Sequence, residues 1–100
     1  KRMLLFRPPY GVTTPNIAKA ITDLNCSAIG WSIRSFDTTY NSAQAIAQRV
    51  QAQIKSGAII LFHDTSDKTL QALKQTLDFA KNNGYKIVSV DQLLKINAYE

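Results

Sequence analysis

Short apolar runs alternate along the chain with longer segments in which apolar residues recur every three or four positions. The short runs are typical of buried strands. Pro8 and Pro9 end the first run, because proline has no backbone donor for a neighbouring strand. The pattern predicts four strands, which are Met3–Phe6, Ala28–Ile33, Ala58–Phe62 and Lys86–Val90.

The longer segments predict amphipathic helices whose ends are marked by capping residues. Thr14 and Pro15 are typical of an N-cap and a first helical residue, and Ser42 is typical of a second N-cap. Gly57 and Gly84 are expected to end the second and third helices. The predicted apolar positions are Ile17, Ala20, Ile21 and Leu24; Ala43, Ile46, Ala47, Val50 and Ile54; Leu70, Leu73, Leu77 and Ala80; and, after a cap at Asp91, Leu93, Leu94 and Ile96.

This alternation of strands and helices predicts an α/β fold with parallel strands. Nearly continuous apolar strands need cover on both faces, and helices between successive strands provide that cover. About four strand–helix units can form a small open sheet or half of a (β/α) barrel, and the repeat alone does not distinguish these two architectures. No linker or low-complexity segment interrupts residues 1–100, so we expect them to form one unit.

Composition excludes several classes of protein. The chain is 45% hydrophobic and 19% charged, which is typical of a folded globular protein. Its net charge is +5, but the 12 lysines and arginines are scattered, so we do not expect nucleic acid binding. The single cysteine, Cys26, excludes an intrachain disulfide, and the longest apolar run is too short for a transmembrane helix.

Unusual side chains lie at the predicted C-terminal ends of three strands. Functional groups gather at these ends in both candidate architectures, and strand alternation directs Arg7, Trp31 and His63 toward a common rim. An arginine, a large aromatic residue and the only histidine of the chain would suit an acid–base site beside an apolar pocket. Each residue also has a structural explanation, as a buried histidine, an ion-paired arginine or a core tryptophan.

Three segments resemble motifs of the polysaccharide deacetylases, which form carbohydrate esterase family 4 and share the NodB homology domain. Arg7-Pro8-Pro9-Tyr10-Gly11 resembles the third motif of the family, Arg-x-Pro-Tyr/Phe-Gly. Trp31-Ser32 resembles the start of the fourth motif, and Leu61-Phe62-His63 resembles the fifth, Leu-x-His. The resemblance covers essentially residues 1–100 and implies the C-terminal half of a distorted (β/α) barrel, a partial NodB homology domain without its metal-binding half.

The resemblance implies metal-dependent hydrolysis of N-acetyl or O-acetyl groups on a polysaccharide. His63 would be the general acid, Arg7 would orient the catalytic carboxylate, and the backbone N–H of Tyr10 would stabilise the oxyanion. Trp31 and Leu61, with Tyr10, would contact the acetyl group of the substrate. The implied location is extracellular or in the cell envelope of a microbe, where such polymers occur.

Two departures from the family pattern bear on this expectation. The fourth motif usually has an aspartate three residues after its tryptophan, where this chain has Arg34, while Asp37 stands at the second acidic position. A cation at position 34 would disfavour the protonated form of His63, so Arg34 and Asp37 are candidate tuning residues. The chain also lacks an Asp-Asp pair and contains 1 histidine, so it cannot form the Asp-His-His metal site of the family.

These observations leave competing hypotheses for function. The first is the acid half of a glycan deacetylase, in which a divalent metal, with zinc expected, is bound by a missing N-terminal half. The second is a noncatalytic glycan-binding or structural relic of the same fold. A flavodoxin-like domain would also suit the strand–helix repeat, but its phosphate-binding glycine-rich loop is not visible in the sequence.

Self-association is a further expectation. In a half barrel, Met3–Phe6 and Lys86–Val90 would be edge strands with unpaired backbone groups, and such edges can pair with a second copy.

Overall fold

The computed structural model describes residues 2–8 and 14–100, and these residues combine helices with short parallel strands. The α/β class predicted from the pattern is confirmed. Among the described residues, the elements in chain order are β1 Leu5–Phe6, α1 Pro15–Asp23, β2 Ser27–Ala28, β3 Ile33–Arg34, α2 Ala43–Gln51, β4 Ile60–Leu61, α3 Asp67–Asn82 and α4 Val90–Leu94. The described residues divide into two compact units, one with those up to Gly30 and Ser89–Glu100, the other with Trp31–Val88.

The first unit is built around β1, which pairs in parallel with β2 in the register Leu5 to Ser27. The C-terminal residues of the chain also contact this strand region, since the backbone N–H of Leu4 donates to the carbonyl of Ala98 at 2.8 Å. Arg2 Nε forms an ion pair with Glu100 at 2.7 Å. The expectation that Met3–Phe6 is an unpaired edge strand is therefore wrong. Strand β2 pairs with it, and Ala98 accepts a hydrogen bond from its residue Leu4.

The second unit contains the parallel pair β3 and β4, aligned so that Ile33 is opposite Ile60 and Arg34 is opposite Leu61. The run Ala28–Ile33 was predicted as one strand, but the structure divides it into β2 and β3, which pair with different partners. The parallel arrangement is as predicted.

Helices α2 and α3 pack together and form the core of the second unit. Ile46 and Ala47 of α2 contact Ala72 of α3, and the half-buried side chain of Phe62 packs against this cluster. The predicted cap of α2 is confirmed, since the Ser42 hydroxyl accepts from the backbone N–H of Ala45. In the first unit, Thr14 caps α1 in the same way.

The buried face of α3 differs from the leucine stripe that the spacing predicts. Its buried residues are Thr69, Ala72, Thr76 and Ala80, whereas Leu70 is 66% exposed and Leu77 is also exposed. Small side chains allow α3 to approach α2 closely, and this close approach decides which face is buried.

The fourth predicted strand, Lys86–Val90, is wrong. Residues 85–89 form no strand, and α4 begins at Val90 with Ser89 as its N-cap residue in place of Asp91. Ile87 is 63% exposed within the described chain, so the apolar composition of this run is not matched by burial or by a strand partner. The helix predicted to continue to Gly57 also ends early, at Gln51.

Replacing a core isoleucine tests this packing. Ile46 is 0% exposed, so Ile46→Ala leaves a cavity between α2 and α3 and should lower the free energy of unfolding by about 3 kcal/mol. The matched change at an exposed isoleucine, Ile87→Ala, should lower it by less than about 1 kcal/mol. Urea denaturation of both variants measures the difference, and equal losses would contradict the assigned core.

Candidate active site

His63 lies just beyond the C-terminal end of β4 and is held by a carboxylate. Its Nδ1 atom is 2.8 Å from Asp37 Oδ1, and its side chain is 48% exposed. Because an ionised carboxylate only accepts hydrogen bonds, Nδ1 carries the proton and donates it to Asp37. The contact therefore fixes the tautomer and leaves Nε2 available for chemistry.

Asp37 is buried and takes hydrogen bonds from three donors. In addition to the His63 ring, the backbone N–H of His63 donates to Oδ2 at 2.6 Å and the Thr69 hydroxyl donates to Oδ2 at 3.0 Å. The backbone N–H of Asp37 donates to the buried hydroxyl of Ser35 at 3.3 Å. The loop after β3, the end of β4 and the first turn of α3 thus fix one carboxylate that is 1% exposed.

The charge state of Asp37 follows from these contacts. Burial by itself raises the pKa of a carboxyl group, but the hydrogen bonds from the His63 ring, the His63 amide and the Thr69 hydroxyl outweigh burial. The pKa of Asp37 is therefore lowered from its ordinary value of 3.8, and the carboxylate is ionised at neutral pH. The ionised carboxylate is thus a fixed hydrogen-bond acceptor beside Nδ1 of the His63 ring.

A surface pocket of about 460 Å³ lies beside the His63 side chain. Polar groups line the part near the start of α3, and apolar side chains line the rest. Its lining residues are Phe62, His63, Asp64, Thr65, Ser66, Asp67, Thr69, Leu70 and Leu73. The exposed histidine therefore faces a space with both apolar and hydrogen-bonding walls.

The other residues predicted for the site are distributed between the two units. In the first unit, Arg7 Nε donates to the carbonyl of Ile29 at 3.2 Å and its terminal nitrogen donates to Gly30 at 3.0 Å. Tyr10 lies outside the described residues. Trp31 and Leu61 belong to the second unit, where both are half-buried. The catalytic and substrate-binding roles of all four residues stay predictions.

The two candidate tuning residues occupy different environments. Asp37 is the carboxylate that contacts His63, whereas the guanidinium of Arg34 lies 4.6 Å from the centroid of the Phe36 ring. Sequence reasoning did not find Ser35 and Thr69, which complete the setting of Asp37. One indication for Thr69 was present in the sequence: it carries a hydroxyl group three residues after Ser66, the N-cap of α3. In the structure this hydroxyl reaches Asp37 after β3.

The described residues do not fit a catalytic metal centre. Within ranges 2–8 and 14–100, no group of three or more His, Cys, Asp or Glu side chains could hold a metal ion. The same ranges contain no helix that is long and apolar enough to cross a membrane.

Comparison with known proteins gives a consistent result. No protein-family model matches the chain. It is 34% identical over 87 residues to the peptidoglycan-N-acetylglucosamine deacetylase PgdA of Listeria monocytogenes, which corresponds to 87% of this chain and 18% of PgdA. The structure of the peptidoglycan deacetylase PdaC from Bacillus subtilis matches with a TM-score of 0.84 and 26% identity over 92% of this chain and 44% of PdaC.

A third similarity is to a pseudoenzyme of carbohydrate esterase family 4 from Bacillus anthracis. That structure matches with a TM-score of 0.80 and 30% identity over 90% of this chain and 32% of the pseudoenzyme. The chain thus spans less than half the length of each of these three proteins.

The fold and the sequence together define a relative of the polysaccharide deacetylases. The chain belongs to carbohydrate esterase family 4, whose members share the NodB fold, and it corresponds to part of the length of those proteins. The family resemblance seen in the three motifs is confirmed.

The contribution of the ionised Asp37 to the free energy of unfolding can be tested by its dependence on pH. Because its pKa is lowered in the folded chain, the ionised carboxylate stabilises the fold above pH 3.8, and this stabilisation is lost as the pH falls through the lowered value. Asp37→Asn should therefore lower the free energy of unfolding by about 2 kcal/mol at pH 7, and the difference from wild type should shrink in acid.

The matched control is Asp78→Asn, which removes an exposed carboxylate on α3. It should change the free energy of unfolding by less than about 0.5 kcal/mol at pH 7. Urea denaturation between pH 3 and pH 7 measures both effects. A loss in Asp37→Asn that stays constant across this range would show that the charge of the carboxylate is unimportant.

Proposed function

We propose that this chain supplies the acid side of a polysaccharide deacetylase, with His63 as the general acid and Asp37 as the residue that orients it. The observation that carries the proposal is the 2.8 Å contact between His63 Nδ1 and a buried Asp37 carboxylate, next to an open pocket. The names of the relatives support the reaction class, since PgdA and PdaC are both named as peptidoglycan deacetylases.

The proposed role follows from what hydrolysis of an acetamide requires. When the bond between the acetyl carbon and the sugar nitrogen breaks, the leaving amine must gain a proton. A protonated His63 ring can donate this proton from Nε2, while its Nδ1–H remains bonded to Asp37. The ionised Asp37 holds the ring through Nδ1–H and leaves Nε2 available for the transfer.

The remaining residues complete the proposed site as the family motifs imply. Trp31 and Leu61 contact the acetyl methyl group, and the backbone N–H of Tyr10 stabilises the oxyanion. Arg7 orients the catalytic carboxylate, which lies outside this chain. These four roles rest on the motif resemblance, and the acid role of His63 rests on the resemblance and on its geometry together.

We further infer that this chain is the C-terminal half of a (β/α) barrel and that the other half binds the metal. The single histidine and the absence of a three-ligand cluster among residues 2–8 and 14–100 favour ligands elsewhere for the divalent metal, with zinc expected. The chain's coverage of only 44% of PdaC agrees with a missing half. Substrates that are cell-wall or other microbial polysaccharides would place the protein in the cell envelope or outside the cell.

A second candidate is a noncatalytic glycan-binding or structural role. The specific observation in its favour is the similarity to a Bacillus anthracis structure described as a pseudoenzyme. The two candidates differ in whether the intact protein releases acetate.

Acetate release by the longest natural polypeptide that contains this chain tests the proposal. The substrates are chitin oligomers, peptidoglycan glycan strands and acetylxylan. His63→Ala should lower the rate of acetate release by a factor of about 100 to 10,000, because the leaving amine loses its proton donor. Asp37→Asn should also lower the rate, and Asp78→Asn, at an exposed site on α3, should leave it unchanged.

Two results would contradict the proposal. If His63→Ala retains the wild-type rate, His63 is not the general acid. If the wild-type protein binds these glycans but releases no acetate from any of them, the noncatalytic candidate is favoured.

A further inference from the structure

Two arginine side chains contact one aromatic ring in the loop that carries Asp37. The guanidinium carbon of Arg34 lies 4.6 Å from the centroid of the Phe36 ring, and that of Arg49 lies 4.4 Å from it. Both distances are within the range of cation–π contacts. Arg49 Nε also donates to the carbonyl of Arg34 at 3.0 Å, which ties α2 to the end of β3. We refer to Arg34, Phe36 and Arg49 as the arginine–phenylalanine cluster.

The positive charge of this cluster is not compensated by an ion pair. Within the part of the chain that the structure describes, the ion pairs are Arg2 with Glu100, Lys19 with Asp23 and His63 with Asp37, and none involves the cluster. Asp37 is adjacent in sequence, but its carboxylate is buried and both of its oxygens accept other hydrogen bonds. Both guanidinium groups carry a positive charge, so an anion that binds to either of them would be stabilised.

The backbone of Phe36 is held in an unfavourable conformation. Its φ is 56°, a left-handed value that bulky residues rarely adopt. The carbonyl of Phe36 accepts from the backbone N–H groups of Thr39 and Tyr40, at 2.9 and 3.0 Å. Ser35 and Asp37, on either side of Phe36, are buried, whereas Phe36 is half-buried and its ring contacts the two arginines.

A third cation reaches the same loop. Lys68 Nζ donates to the carbonyl of Tyr40 at 2.6 Å, and the Tyr40 ring meets the Phe36 ring edge-on with centroids 6.3 Å apart. Residues from β3, α2 and α3 therefore concentrate positive charge around the loop between β3 and α2.

The cluster adjoins the histidine–aspartate pair. Arg34 is in register with Leu61, two residues before His63, and Phe36 immediately precedes Asp37. Arg34, Phe36 and the pair are therefore carried by the same two strands and by the same loop after β3.

We propose that the arginine–phenylalanine cluster is a binding subsite for an oxyanion, a carboxylate or a phosphate, carried by the polysaccharide. This inference rests on the proposed function and adds to it a substrate class, an acidic glycan instead of a neutral one. Arginine suits this role because its planar fork of N–H donors matches the geometry of both groups. The ring of Phe36 holds both guanidinium groups in position before the ligand binds.

Calorimetric titration of the longest natural polypeptide containing this chain tests the subsite. The ligands are three oligosaccharides of equal length that are neutral, carboxylate-bearing or phosphate-bearing. Arg34→Gln should weaken binding of at least one acidic ligand roughly tenfold, and adding Arg49→Gln should weaken it further. Binding of the neutral ligand should be unchanged, and the two acidic ligands identify which oxyanion is preferred.

The controls separate the subsite from a general effect of charge or folding. Lys74→Gln removes an exposed cation on α3 and should leave all three affinities unchanged. Because Arg49 also bonds to the backbone, the single variant Arg34→Gln carries the test if the double variant fails to fold.

Acetate release measured on the same samples separates this inference from the proposed function. If the acidic ligand binds through Arg34 but no acetate is released, the subsite stands and the deacetylase proposal fails. Wild-type protein that binds the acidic ligands no more tightly than the neutral one would overturn the subsite. An equal loss of affinity for all three ligands in Arg34→Gln would also overturn it.

Discussion

The buried carboxylate of Asp37 is the constraint around which the second unit is organised. A carboxylate that is 1% exposed must be hydrogen-bonded, because an isolated charge removed from water is strongly disfavoured. The donors come from two other elements, the end of β4 with His63 and the first turn of α3 with Thr69. Correct packing of strands and helix is therefore required before the charge can be accommodated.

The same constraint links the fold to the chemistry. The packing of Ile46 and Ala47 against Ala72 sets α3 beside α2, and Thr69 lies one turn before Ala72 on the buried face of α3. The Thr69 hydroxyl and the His63 amide satisfy Asp37 Oδ2, which leaves Oδ1 for the imidazole ring. A residue of the core thereby contributes to the position of an exposed histidine, as is usual where a rigid scaffold supports a functional side chain.

Sequence patterns predicted the parts of this fold that depend on local chemistry. The caps at Thr14 and Ser42 were predictable because a hydroxyl at these positions satisfies helix N–H groups from within a few residues. The place of His63 just after a strand was predictable from the apolar run that precedes it. Both predictions needed only neighbouring residues.

The parts that failed depend on partners distant in sequence. The apolar run Lys86–Val90 predicts a strand, but a strand forms only beside a neighbouring strand to which it can hydrogen-bond. Ile87 of this run remains exposed. On the inward face of α3 only Ala80 was predicted correctly, because Thr69, Ala72 and Thr76, not the leucines, are the other buried residues. Asp37 was predicted as one of two candidate tuning residues, but the sequence did not distinguish it from Arg34, since Asp37 is 26 residues from His63 and Arg34 stands at the position where a carboxylate was expected.

The most direct test of this account is the protonation of the two ring nitrogens of His63, measured by ¹⁵N NMR on protein labelled at its single histidine. The account predicts that, when the ring is neutral, Nδ1 carries the proton and Nε2 does not, and that Asp37→Asn weakens this preference. A neutral ring protonated mainly at Nε2 in the wild-type protein would contradict the hydrogen bond to Asp37 and the proton-donor role derived from it.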